Sequence, residues 1–195
     1  MAVVTSSSNG KIFEQINARI KELDGVTTQA GFLGGTYPNG QSIAQVAVWQ
    51  EFGVPSRKIP PRPFMRPAVT ENKQKWSNLM ASGAKAILKG NETPASVMDK
   101  VASVAASDIA QEIIDLTAPS LSPVTLELRD MKRRGINITG ATVGEAARKV
   151  ASDGYTPPSI SNKPLIEPGQ DGGIMLAAVS WQKVNGDIKK VGDKE

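Results

Sequence analysis

Residues 68–117 read AVTENKQKWSNLMASGAKAILKGNETPASVMDKVASVAASDIAQEIIDLT. Trp76, Leu79, Met80, Ala84, Ile87 and Leu88 recur at the helical period and make one apolar stripe. Val97, Val101, Val104, Ala105, Ile109, Ile113 and Leu116 make a second. Between them Gly90-Asn91 breaks the pattern, and Thr93-Pro94 restarts it with a cap followed by proline at the first helical position. The spacing predicts helices over about 68–89 and 94–117. A link this tight between them predicts an antiparallel helical hairpin.

Working outward, Ile12, Phe13, Ile16, Ile20 and Leu23 again have helical spacing, with Gly25 as the stop. Val26 to Phe32 reads as a strand of imperfect alternation. Gly34-Gly35 and Pro38-Asn39-Gly40 mark a turn-rich connection. Ser42 caps a short helix towards Phe52, with Ile43, Val46 and Ala47 on one face, and Gly53 ends it. On the other side of the hairpin, prolines punctuate a Gly- and Ser-rich segment from Ala118 onward. Short helices fit Thr125 to Arg134, closed by Gly135, and Thr142 to Ser152, closed by Gly154. Ile174 to Val184 reads as a strand with Trp181 near its end.

The expected class is α+β. A small, mainly antiparallel sheet uses Val26–Phe32 and Ile174–Val184, with a further strand in the loop region. Helices that include the long hairpin cover one face, and a long proline-rich loop region completes the chain. Residues 1–185 are read as a single α+β domain in which 118–161 is an extended loop or insertion region. Residues 186–195 are read as a charged, flexible tail.

Of the 195 residues 39% are apolar and 5% aromatic, so the core is modest for the length. Lys plus Arg number 23 against 19 Asp plus Glu, a net charge of +4, which permits an acidic partner without demanding one. There is no Cys and no His. Thiol catalysis, disulfide scaffolds, Cys/His zinc sites and His-dependent catalytic relays are excluded. An oxygen-ligand metal site or a Ser-Lys or paired-carboxylate enzyme remains open. No spaced acidic set predicts such a site, and Asp108, Glu112 and Asp115 read as a solvent face. An enzyme, such as a hydrolase with an oxygen-ligand metal, is therefore the minority reading, and no cofactor is expected. No apolar run approaches the roughly 20 residues that span a bilayer. Met1 to Asn9 lacks the apolar core of a signal peptide, so a cytoplasmic protein is expected.

Three segments hold candidate functional residues. The first is Trp49-Gln50-Glu51-Phe52-Gly53 followed by Ile59-Pro60-Pro61-Arg62-Pro63-Phe64-Met65-Arg66-Pro67. Its prolines predict an extended, non-helical backbone from Val54 to Pro67. It reads either as a helix end plus rigid connector, with Phe52, Phe64 and Met65 plugging the core, or as an intermolecular contact. In the second case Arg62 and Arg66 grip a partner's carboxylates. The second segment is Lys163-Pro164-Leu165-Ile166-Glu167-Pro168-Gly169-Gln170, by composition a turn before the last strand. The third is the basic cluster Arg129, Lys132, Arg133 and Arg134. It could contact a phosphate backbone, although interleaved Glu127 and Asp130 fit a solvated helix face as well.

The order of these motifs resembles the tail-completion or head–tail joining proteins of long-tailed bacteriophages, the virion morphogenesis type. Gln50-Glu51-Phe52-Gly53, Ile59-Pro60-x-Arg62-Pro63-Phe64, Ser122-Pro123-x-Thr125-Leu126 and Lys163-Pro164-Leu165-Ile166 carry the resemblance, which covers roughly Val26 to Val184. Pro168 and Asp171-Gly172-Gly173 depart from the family pattern, and 134–161 looks like an extra segment. The resemblance implies a non-catalytic virion protein of the neck or tail end, assembled in the bacterial host cytoplasm. It implies a homo-oligomeric ring, commonly sixfold, between head connector and tail tube proteins. DNA would pass through without specific binding, and no membrane is involved. It also implies partner or oligomer contacts through Glu51, Phe52, Arg62, Phe64, Met65, Arg66, Lys163 and Leu165. The alternative is a nucleic-acid-binding protein acting through Arg129, Lys132, Arg133 and Arg134.

Overall fold

The computed structural model describes residues 7–23, 26–160, 163–166, 173–184 and 189–190. In chain order the elements are α1 (Ser7–Leu23), β1 (Thr28–Phe32), α2 (Ile43–Phe52), a 3-10 turn (Pro55–Arg57), α3 (Met65–Lys89) and α4 (Pro94–Asp115). They are followed by α5 (Pro123–Arg133), α6 (Gly140–Val150), α7 (Ile174–Ala177), β2 (Val179–Lys183) and β3 (Lys189–Lys190). The fold is α+β, with a long helical hairpin and a small antiparallel sheet in the order β1-β2-β3. The chain gathers into two compact units, each discontinuous in sequence. One comprises Met1–Leu33, Ala68–Ile109 and Val179–Glu195, and the other Gly34–Pro67 and Ala110–Ala178.

In the first unit β1 and β2 pair from Thr28↔Lys183 to Phe32↔Val179. Val179 and Trp181 are buried on one side of β2. Lys183, two residues further along that side, reaches Asp99 of α4 at 3.4 Å. The hairpin is stitched by Asp108, which accepts from Trp76 Nε1 at 2.7 Å and from Lys75 Nζ at 2.6 Å. Further along, Gly83 lets the helices approach so closely that a Cβ there would lie 2.2 Å from Val97 Cγ1. The third strand does not come from the loop region. It is the two-residue β3, paired with β2 at Ser180↔Lys190 and Trp181↔Lys189, inside the stretch read as a flexible tail.

The second unit holds α2, α5, α6 and α7, the first turn of α3 and the last turns of α4. Ile43, Ala47, Phe64, Ile113, Leu126, Met131, Ala146 and Met175 are among its buried apolar residues. The 118–161 region is more regular than an extended loop. Ser122 caps α5, and a Thr139–Thr142 capping box starts α6. Fully buried Glu127 ties these two helices together through the Lys149 ammonium.

Two boundaries differ by more than two residues from the sequence expectation. Ile174–Ala177 is one helical turn, not the start of the last strand. The helix expected from Ala68 begins at Met65, so Met65 to Pro67 are helical; proline is tolerated there because first-turn amides have no intrahelical acceptor. In the apolar stripe of α1, Phe13 and Ile20 stay exposed. The expected stop at Gly25 lies outside the described residues.

Gly83→Ala is expected to lower unfolding free energy by about 1–3 kcal/mol through overpacking against Val97. Gly144 in α6 has open space around it, so Gly144→Ala is expected to raise stability by up to about 1 kcal/mol. Urea unfolding of the two variants checks this, and effects of the same sign would contradict the close approach.

Candidate functional site

The first two motif segments fold onto each other. Gly53, at φ 74°, ends α2. It also lets the returning chain pass: a Cβ there would lie 2.8 Å from both Ile59 O and Pro61 N. Val54 and Ile59 then exchange backbone hydrogen bonds at 2.9 and 3.1 Å, closing a short loop around the 3-10 turn. This loop delivers Arg62 to Gln50, whose backbone carbonyl accepts from Arg62 N at 2.6 Å. The Arg62 guanidinium donates to Gln50 Oε1 at 3.2 Å and to Pro119 O at 3.3 Å.

Glu51 is the centre of the clasp. Its carboxylate, 5% exposed, accepts from the backbone amides of Phe64 (2.8 Å), Met65 (2.9 Å) and Arg66 (3.2 Å). Those are orphan donors at the start of α3, where the helix dipole also favours negative charge. Arg66 Nε adds an ion pair at 2.8 Å, and Arg66 Nη2 reaches the Glu51 carbonyl at 3.2 Å. Burial pushes the Glu51 carboxyl up. The Arg66 pair and the three amides outweigh it, so its pKa lies below the ordinary value. Burial alone draws Arg62 down from the ordinary arginine value.

The later motifs also serve helix ends. Ser122 Oγ accepts from Thr125 N at 3.2 Å, Pro123 follows at the first helical position, and Leu126 is buried. Lys163 Nζ donates to Ile114 O at 2.7 Å, in the last turn of α4. Pro164 and Leu165 are buried behind it. Arg129 holds this turn in place, donating to the carbonyls of Lys163 (3.1 Å), Ile166 (3.1 Å) and Pro164 (3.2 Å). Glu167 to Gln170 lie outside the described residues. A cavity of about 190 Å³ lies where the motifs converge, with Gln50, Arg129, Pro164 and Leu165 among its walls.

The basic cluster is thus divided by its surroundings. Arg129 faces backbone carbonyls, whereas Arg133 and Arg134 pair with Asp130 at 2.8 and 3.0 Å, and Lys132 is exposed. The sequence alone hid this, because Arg129's acceptors lie 34–37 residues away.

Of the residues named as partner contacts, Glu51, Arg62, Phe64 and Leu165 are buried within the chain, and Met65 and Lys163 are half-buried. Phe52 and Arg66 remain at the surface. Phe52 does not plug the core: it is 61% exposed, with the Arg66 guanidinium 5.0 Å above its ring. Val48, one turn earlier on α2, is 54% exposed. Sequence reasoning missed Val48, although its i,i+4 spacing from Phe52 on an almost wholly apolar helix was a usable signal. Among the described residues no group of three or more carboxylates is placed to hold a metal ion, and no helix is long and apolar enough to cross a membrane.

No protein-family model, curated protein or solved structure matches this chain.

Glu51→Gln is expected to cost about 2 kcal/mol near neutral pH, because a neutral amide replaces a charged acceptor of several N–H groups. Since the folded-state pKa is depressed, the contribution of Glu51 is complete above the ordinary glutamate range and is lost as pH falls through the folded-state value. Urea unfolding between neutral and acidic pH should show the wild type and Glu51→Gln converging as pH falls. Parallel curves would contradict the assignment.

Proposed function

We propose that this chain is a structural protein of the neck or tail terminus of a long-tailed bacteriophage. In this reading it forms a homo-oligomeric ring that completes the tail and joins it to the head connector. The motif order described above supports the reading, and so does the chemistry of α2. Apart from Gln45, Gln50 and Glu51, α2 is entirely apolar. An apolar helix of this kind expects to be covered on every side. Ile43, Ala47 and Glu51 are covered by the chain itself, while Val48 and Phe52 are not. This uncovered face is the observation that carries the proposal. Its position is set by the Glu51 clasp, so it is presented on a rigid support. A ring requires a heterologous contact, in which such a face meets a different surface of the next subunit. A net charge of +4 is easier to reconcile with a conduit for DNA than a strongly basic surface would be.

The nucleic-acid alternative has less support, because Arg129 is engaged with carbonyls and Arg133 and Arg134 with a carboxylate. It predicts binding that weakens steeply with salt.

Light scattering combined with negative-stain images is expected to show closed oligomers of the wild type. Phe52→Glu, at an exposed position, is expected to remain a monomer that still unfolds cooperatively. If the wild type stays monomeric and tails lacking the protein still join filled heads normally, the reading is wrong.

A further inference from the structure

A cleft of about 770 Å³ opens in the second unit beside the clasp. The loop carrying Lys58 and Arg62 lines it on one side, and α5 lines it from Pro123 at its start to Arg129 and Lys132 in its later turns. These four cations line it, Arg129 being already engaged with backbone carbonyls, and no Asp or Glu among the described residues does. Arg62 is the informative one. It is 8% exposed, yet among the described residues its guanidinium meets only neutral acceptors, Gln50 Oε1 and Pro119 O. A buried cation is costly unless an anion is paired with it, and the two bonds leave further donors of the guanidinium fork available. The pull of burial on the Arg62 pKa is the same deficit seen from the proton side. Ser120, Ser122 and Thr125 bring the N-terminal end of α5 to the cleft, where its dipole also favours negative charge.

The remaining lining selects among anionic partners. Ile59, Leu121, Leu128 and Ile138 are aliphatic, several prolines lie between them, and no aromatic ring among the described residues lines the cleft. A single nucleic-acid strand would want stacking platforms. An arginine fork instead matches a carboxylate in two-point contact, and aliphatic walls match aliphatic side chains.

We infer that this cleft binds an extended acidic peptide segment of a partner protein, with a carboxylate of that segment seated on Arg62. The inference does not rest on the ring reading, and its failure would leave the mass measurement on the α2 face unaffected.

Fluorescence anisotropy at physiological salt tests it with three labelled probes. They are the peptide Gly-Glu-Leu-Glu-Leu-Gly, the same peptide with both Glu replaced by Gln, and a six-nucleotide oligothymidylate. The Glu peptide should bind saturably, and the Gln peptide about tenfold or more weakly. Lys58→Glu, at an exposed position, should weaken the Glu peptide about tenfold while leaving the unfolding midpoint unchanged. Arg62→Gln should abolish binding. No saturable binding of the Glu peptide, equal binding of the two peptides, or no loss in Lys58→Glu overturns the inference. Tighter binding of oligothymidylate overturns it too, and assigns the cleft to nucleic acid.

Discussion

A single carboxylate at the start of a long helix organises much of the second unit. Glu51 sits at the end of α2, and its oxygens take the first amides of α3, thirteen to fifteen residues further along. A carboxylate this buried is tolerated only when hydrogen bonds and a cation offset its lost hydration. That requirement explains the neighbouring residues. Gly53 permits the close return of the chain, Pro61 and Pro63 stiffen it, Arg62 locks it to Gln50, and Arg66 completes the ion pair. The signature is therefore a solution to turning the chain from one helix into the next.

The other motif segments solve the same kind of problem at other helix ends. Ser122 and Pro123 start α5, while Lys163 caps the last turn of α4. Arg129 then holds three carbonyls of the Lys163–Ile166 turn in register. Most motif side chains are thus directed inward. They fix the frame on which Val48, Phe52 and Arg66 are displayed and from which the Lys58–Arg62 cleft opens.

The sequence made the long elements legible because their physics is local. The hairpin follows from two apolar stripes around Gly90 and Pro94, and α2 from its apolar run and Gly53, whereas Ser42 stands at the N-cap position without making the expected side-chain capping bond. The roles of charged residues were not local. Arg62 was open to a second reading as gripping a partner's carboxylates, and Glu51 was named only as a contact, because nothing in a one-dimensional pattern reveals that amides thirteen residues ahead return to the same carboxylate. Arg129 looked like part of a basic run for the same reason. Ile174–Ala177 misread because a short apolar run fits a strand and a helical turn alike. The exposure of Phe13, Ile20 and Phe52 was equally hidden, since periodicity marks an apolar face without saying what covers it.

The most direct test of the central claim is amide hydrogen exchange at Phe64, Met65 and Arg66 in the wild type and in Glu51→Ala. The account predicts protected amides in the wild type. In the variant these three should exchange markedly faster, while Ile109 and Ile113 in the interior of α4 keep their protection. Unchanged protection at Phe64, Met65 and Arg66 would contradict it, because the amides would then owe their protection to something other than the Glu51 carboxylate.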